Sequence, residues 1–399
     1  MTGLKSGGLK SGGLKSGGLK SGGLNFGIVG AGAIAQAHAQ AFDSTPLARL
    51  AGVADIRKDA AQAMAESAQC PSFADYKAMA EAVDLDAVIL CTPPITHPEI
   101  ALYFIEQGVH VLCEKPFSID IASAQRMYET SRQQGVLLTM ASKFRYVDDV
   151  IKAKSIVQSG ILGEIVLFEN AFTARVDMSN RWNANPAISG GGVLIDNGTH
   201  SVDIMRYFLG PLAEVSVVEG KRIQGLAVED TVRIFVKSTQ GVMGNIDLSW
   251  SINKELDHFI RIYGSNGTVS IGWKESKYRQ ASSQDWIVFG EGYSKLKSFT
   301  QQLENFSRAI LGEEALLITG ADGDRSVEVI NAAYESLNRS NWTPIGQLSD
   351  RLAQEQYPVQ EQHLAQEKHL AIGAPVLQND PVQNSPLQNG KTAVVEVRS

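Results

Sequence analysis

The chain has 399 residues, 44% hydrophobic and 20% charged, which is enough to bury a large core in two domains flanked by flexible ends. The formal charge of -7, with no dense Lys/Arg block among aromatics, argues against nucleic acid as a partner and for a small-molecule ligand. Cys70, Cys91 and Cys113 lack the paired spacing of a zinc site, so no metal is expected. No apolar run reaches the roughly 18 residues of a membrane span, and the N-terminus lacks the apolar core of a secretion signal. No membrane partner is expected, and the expected location is the cytoplasm.

The chain opens on Gly-Leu-Lys-Ser-Gly repeated with period five from Gly3 to Gly22. The unit is too short and too rich in Gly and Ser to pack a core, so residues 1–23 read as a flexible basic extension. Residues 24–145 alternate short apolar runs with amphipathic segments, the pattern of a doubly wound parallel sheet. Strands are expected at Asn25–Val29, Leu47–Ala54, Ala87–Cys91, Val109–Cys113 and Leu137–Ala141, and helices at Ala33–Phe42, Lys58–Ser67, Tyr76–Val83, Pro98–Gln107 and Ile121–Gln134. Residues 146–347 carry longer alternating runs: Glu164–Arg175, Ala213–Gln224, Thr231–Ser238, Val242–Ser251, His258–Gly264 and Thr268–Trp273. Joined by short turns, these predict an α+β domain with a largely antiparallel or mixed sheet, packed by helices at Asp196–Leu209, Lys297–Leu311 and Asp324–Arg339. The closing pair is expected on that sheet or on the first domain. Residues 348–399, rich in Gln and Pro, read as a disordered tail that begins with a short helix at Ser349–Gln356.

Gly30-x-Gly32-x-x-Ala35 follows an apolar strand and enters a helical pattern, the context in which such a turn binds a dinucleotide. Gly30 permits the tight turn, Gly32 lets backbone approach a pyrophosphate, and small Ala35 lets helix and strand pack closely. The helix N-terminus at Ala33 and Ile34 then faces the phosphates. Asp55 lies 25 residues after Gly30 at the next strand end, placed to accept hydrogen bonds from the adenosine ribose and to repel a 2′-phosphate. That favours NAD, with NADP open because Arg57 and Lys58 follow. The weaker alternative is that Asp55 caps the next helix.

Cys91-Thr92-Pro93-Pro94-Ile95-Thr96-His97, Cys113-Glu114-Lys115-Pro116 and the Gly-Gly-x-x-x-Asp-x-x-x-His pattern within Gly190–His200 together resemble the Gfo/Idh/MocA family of oxidoreductases. The resemblance covers roughly residues 26–347. It implies a Rossmann domain, an open-faced sheet domain that serves homo-oligomer contacts, and hydride transfer between a nicotinamide and a hydroxyl carbon, usually of a sugar or cyclitol. Under it Lys115, Asp196 and His200 match catalytic positions, and Thr92, Pro93, His97 and Glu114 match cofactor contacts. Phe144-Arg145-Tyr146 occupies a segment that varies within the family and lines the active site.

Oxidising a secondary alcohol needs a proton acceptor and a donor that stabilises developing alkoxide. His200 is assigned as acceptor, Lys115 as donor and charge, and Asp196, four residues before His200 on one helix face, as the group orienting one of them. Lys115 and His200 could exchange roles, Asp203 at i+3 competes for His200, and Asp196 could be a plain helix cap. Lys143, Arg145, Arg175 and Arg181 suit an anionic sugar such as a sugar phosphate or nucleotide sugar, and Trp182 suits a wall for a pyranose ring. A redox-neutral lyase or glycosidase that uses the nicotinamide transiently and a non-catalytic dinucleotide sensor are the competing readings.

Overall fold

The computed structural model describes residues 23–346. The N-terminal repeat and the C-terminal stretch, with the helix expected at Ser349–Gln356, lie outside the described residues. One sheet contains β1 (Leu24–Val29), β2 (Ala48–Ala54), β3 (Ser72–Phe73), β4 (Ala87–Leu90), β5 (His110–Glu114) and β6 (Leu138–Ala141). All pairs are parallel, in the order β3-β2-β1-β4-β5-β6. β1, β4 and β6 are buried throughout, as continuous apolar runs require when helices cover both faces. Those helices include α1 (Ala33–Phe42), α2 (Lys58–Ala68), α3 (Tyr76–Ala82), α4 (His97–Glu106) and α5 (Ile121–Gln134). In α5 local sequence sets both ends: Asp120 accepts the Ser123 N–H at 2.8 Å, and Gly135 turns the chain with a φ of 66°. The expected elements of this half are present within a residue or two. β3 is additional, too short to leave a periodic signal. Strand order reverses between β1 and β4, which places a ligand crevice beyond their carboxyl ends.

After α6 (Asp148–Gln158) the chain builds the second sheet, interrupted by α7 (Pro186–Ser189) and α8 (Val193–Leu209). Its strands are β7 (Ile165–Thr173), β8 (Leu212–Glu219), β9 (Thr231–Ser238), β10 (Met243–Ser249), β11 (His258–Gly264), β12 (Gly267–Gly272), β13 (Ser276–Gln280), β14 (Ile287–Gly290) and β15 (Thr343–Pro344). The order is β14-β13-β12-β11-β7-β10-β9-β8-β15, antiparallel except where β7 meets β10. β9 shows why the sheet is open-faced: Val232, Ile234 and Val236 are buried, while Arg233, Phe235 and Lys237 between them face outward. α6, β13 and β14 are absent from the expected elements; Ser-Lys-Tyr-Arg-Gln of β13 has no apolar alternation to detect.

Two last helices, α9 (Lys295–Ile310) and α10 (Gly320–Arg339), tie the sheets into one compact unit. α9 packs on α1, with the Phe306 ring 5.9 Å from fully buried Phe26 and the Phe299 ring edge-on to His38 at 4.7 Å. α10 packs against α8 and β8 on one side and α5 and β6 on the other. Part of the first sheet's cover is thus supplied from the C-terminal end of the described chain. Among the described residues no helix is long and apolar enough to cross a membrane.

Candidate active site

The glycine turn has two different reasons for its two glycines. Gly30 leaves β1 at φ +94°, and a Cβ there would lie 2.8 Å from the Cys91 backbone, so the fold itself demands glycine. A Cβ on Gly32 would meet nothing within 4 Å. Gly32 caps α1 without a side-chain acceptor, so the first helical N–H groups stand beside unfilled space, a cradle suited to a pyrophosphate. Ala33 is exposed and Ile34 half-buried at that helix start, and Ala35 is fully buried against the strand.

Asp55 faces the turn rather than capping α2, which starts from Arg57 with no side-chain cap. Its carboxylate accepts the Ala31 N–H at 2.6 Å and the Arg57 N–H at 2.8 Å. Burial works to raise its pKa, but these donors and the Arg57 guanidinium hold it below the ordinary value, so it is charged. The Arg57 side chain remains largely exposed at 62%, with its Nε 3.4 Å from the carboxylate. Lys58 opens α2 and is exposed.

Thr92 and Pro93 follow β4, with the Thr96 hydroxyl donating to that of Thr92 at 2.8 Å. His97 has no exposed surface: its ring nitrogens contact the Pro116 carbonyl at 3.0 Å and the Thr92 carbonyl at 2.8 Å. His97 rivets the loop after β4 to the loop after β5, and burial keeps its pKa below the ordinary value. Glu114 is likewise turned inward, its carboxylate against His38 at 2.8 Å and the Lys115 N–H at 3.1 Å. Burial works to raise its pKa, yet His38, Lys115 and Lys143 hold it charged. The Glu114 carboxylate thus serves the scaffold of the site.

Lys115 and Asp196 meet from opposite sheets. The Lys115 ammonium donates to the Asp196 carboxylate and, at 3.1 Å, to its main-chain carbonyl. α8 starts at Val193, three residues before the expected Asp196, so Asp196 lies within the first turn and caps nothing. Glu229 fixes this helix entry by accepting the N–H groups of Gly192 and Leu194 at 2.9 and 3.1 Å and the Tyr334 hydroxyl at 2.8 Å. A Cβ on Gly191 would lie 1.8 Å from the Tyr334 hydroxyl, and one on Gly192 would lie 2.1 Å from the Glu229 carbonyl, so both glycines have a packing cause. One turn on, His200 is buried, edge-on to Phe144 at 5.1 Å, with Nδ1 3.4 Å from the Ser142 hydroxyl. Burial, then Lys115 and Lys143, push its pKa well below the ordinary value, so the imidazole is neutral.

The substrate candidates divide. Lys143 is half-buried, lies 5.4 and 5.6 Å from the Phe144 and Phe299 ring centroids, and has no acidic partner within salt-bridge distance among the described residues. Burial and Lys115 lower its pKa to about 8. Arg145 is corrected: it is 4% exposed and occupied by Asp203 at 2.6 Å and Asp322 at 3.1 Å, leaving no face for a ligand. The same contact removes Asp203 as a competitor for His200. Arg175, Arg181 and Trp182 are exposed on the segment after β7, and Trp182 makes no ring contact with the aromatic groups around His200 among the described residues. Of the aromatic group that does stand there, the sequence points only to Phe144. Phe144, Phe172, Phe259, Trp273 and Tyr293 form one cluster, with Trp273 38% exposed and its ring 4.8 Å from Phe259. Ser142 and His38 also went unmarked; only the buried spacing of His38 on α1 signals a role.

An oxidoreductase family model described as having an NAD-binding Rossmann fold matches residues 24–142, and the GFO/IDH/MocA C-terminal domain matches residues 150–270. The chain belongs to the Gfo/Idh/MocA family. This family member is 25% identical over 330 residues to an inositol 2-dehydrogenase of Rhizobium meliloti, covering 78% of this chain and 96% of the relative. A levoglucosan dehydrogenase of Pseudarthrobacter phenanthrenivorans is 24% identical over 384 residues, covering 81% and 98%. A solved levoglucosan dehydrogenase in complex with NADH and levoglucosan shares the fold at a TM-score of 0.77 and 22% identity, covering 82% of this chain and all of that one. The family member is accordingly an oxidoreductase with NAD as its cofactor, and the Gly32 cradle and charged Asp55 fit that cofactor.

Proposed function

We propose that the protein is a dehydrogenase acting on a secondary hydroxyl of a sugar or cyclitol, with Lys115, Asp196 and His200 as the groups that handle the proton. The observation that carries this reading is the grip of Asp196 on the Lys115 ammonium, made between the end of β5 and the start of α8 with neutral His200 one turn away. Bound NAD supplies the hydride acceptor. His200 takes the hydroxyl proton, the Lys115 ammonium donates to the same oxygen and stabilises its developing charge, and Asp196 aims that ammonium. Gly30, Gly32, Ala33, Ile34, Asp55, Thr92 and Pro93 form the proposed cofactor contacts. The carbohydrate activities named for the inositol and levoglucosan dehydrogenases support the substrate class.

Within that class, Lys143 supports an anionic substituent on the substrate, because its ammonium stands close to Lys115 and has no acid within salt-bridge distance among the described residues. The Trp273 and Tyr293 cluster takes the place of Trp182 as the proposed wall for a sugar ring. Self-association through the outer face of the second sheet, where Phe235 and Met243 are exposed, is proposed on the same footing. The test is a panel of sugars, cyclitols, sugar phosphates and nucleotide sugars assayed for NADH formation, with NAD and NADP supplied separately. NADH formed from one class assigns it. Substrate consumption without net NADH would overturn the dehydrogenase reading in favour of transient oxidation, and no consumption across the panel would leave a cofactor-binding sensor as the better account.

A further inference from the structure

The first turn of α8, which carries Asp196, begins with N–H groups that no carbonyl within the helix can accept. The side chain of the cap residue ordinarily takes them. Here the cap is Gly192, and the Glu229 carbonyl fills the space that any side chain at that position would need. The acceptors come instead from 37 positions away. Glu229 Oε1 accepts the N–H of Gly192 at 2.9 Å and that of Leu194 at 3.1 Å, and the Glu229 main-chain carbonyl accepts the N–H of Val193 between them at 3.0 Å. One buried residue thus pins three consecutive peptide groups.

Glu229 is itself held from two directions. The Tyr334 hydroxyl, from α10, donates to the same Oε1 at 2.8 Å and stands where a Cβ on Gly191 would lie. The next residue, Asp230, accepts the Trp250 N–H on its carbonyl at 2.8 Å and the Ile223 and Gln224 N–H groups on its carboxylate at 2.8 and 3.0 Å. The clamp is therefore fixed to the second sheet and, through α10, to β6 of the first.

From the clamp to the proposed chemistry is one helical turn. Asp196 donates its N–H to the Gly192 carbonyl at 3.0 Å and receives the Lys115 ammonium on its carboxylate and its own carbonyl. Among the described residues Lys115 is the sole hydrogen-bond partner of the Asp196 carboxylate, so where that carboxylate stands depends on where the first turn stands. We infer that Glu229, held by Tyr334, is a positioning residue: it fixes the first turn of α8 so that Asp196 aims the Lys115 ammonium at the substrate oxygen. This rests on Lys115 being a reacting group in the function proposed above. Glu229→Ala would leave the N–H groups of Gly192 and Leu194 without their acceptor, a loss they can recover only by shifting that turn.

The test is a double-mutant cycle in the full chain with NAD and whichever panel compound wild type oxidises, each rate being divided by the number of sites that bind NADH. Glu229→Ala should lower kcat per site about 10- to 100-fold, the range that a displacement of about 1 Å costs, with KM and NADH affinity within about threefold. A purely structural role would instead reduce the number of sites and leave kcat per site unchanged. Placed in Lys115→Ala, the same change should cost less than about twofold more, because its effect passes through Lys115. Glu229→Gln keeps an acceptor oxygen and should return kcat to within about threefold of wild type. If Glu229→Ala does not fold, Tyr334→Phe carries the test: its ring stays against Gly191 while Oε1 loses an anchor, and kcat per site should fall about 3- to 10-fold, again only where Lys115 is present. Wild-type kcat per site in the variant that carries the test, an undiminished loss in the Lys115→Ala background, or no recovery in Glu229→Gln overturns the inference while the proposed site stands. If Lys115→Ala itself keeps wild-type turnover, the role proposed for Lys115 fails, and this inference with it.

Discussion

The Lys115 ammonium is held by Asp196 twice, through the carboxylate and through the main-chain carbonyl at 3.1 Å, so a residue at a strand end of one sheet is aimed by a helix of the other. Replacing Lys115 by Ala should therefore lower turnover by about 10²–10⁴ and leave NADH binding nearly unchanged. NADH fluorescence titration alongside steady-state rates checks both halves. Lys115→Arg should not recover the rate, since a planar fork cannot stand in for a point charge against those two oxygens. Wild-type turnover in Lys115→Ala would remove this residue from the chemistry.

Asp55 makes a second, separable prediction. It is charged, and Ala31 and Arg57 hold it at the turn where an adenosine ribose would lie. Asp55→Ser removes the charge-assisted acceptors, worth about 1.5–3 kcal/mol, so NAD affinity should fall about 10- to 100-fold. NADP affinity should rise, because Arg57 loses its carboxylate partner and becomes available to a 2′-phosphate. Isothermal titration with each dinucleotide measures the ratio, and an unchanged ratio would show that Asp55 does not read the ribose.

Lys143 sets a pH dependence whose sign follows from its lowered pKa of about 8. Below that pH the amine is an ammonium and attracts an anionic substrate; above it the charge and the attraction are lost. KM for a hexose phosphate should rise between pH 7 and 9 while KM for the neutral hexose stays level. Lys143→Gln should flatten the difference. Equal pH dependence for both sugars in wild type would separate Lys143 from substrate binding.

Arg145 is predicted to act on stability instead of substrate affinity. Arg145→Met leaves the buried Asp203 carboxylate without its cation and Asp322 with Arg206 alone, at a cost of about 3–5 kcal/mol read from the urea midpoint. Arg145→Met combined with Asp203→Leu should recover part of that loss. A variant as stable as wild type but defective in substrate KM would reverse the assignment.

These residues show what could be read from the chain alone. Periodicity locates the parallel strands because β1, β4 and β6 are apolar along their full length, and the motif segments bring Lys115, Asp196 and His200 forward because Lys115 follows a strand end and Asp196 and His200 stand one turn apart on one helix. Partners remote in sequence were not legible. Arg145 reads as a ligand contact because its acids lie 58 and 177 positions away, and the His38 partner of Glu114, whose cofactor role comes from the family resemblance, lies 76 positions away. Trp182 is more legible than Trp273 for the same reason: the rings gathered near His200 come from five separate parts of the chain.

The packing of α9 on α1 also imposes a schedule. Phe26 and Phe306, whose rings meet at 5.9 Å, are separated by 280 positions, and Phe299 covers the His38 that braces Glu114. At about 5–20 residues per second on the ribosome, the α1 side of the nascent sheet waits roughly 15–60 s for its covering helix to be made. Through that interval an apolar face stays open to solvent and to any holdase that meets it, and the dinucleotide crevice is braced only after α9 has been made.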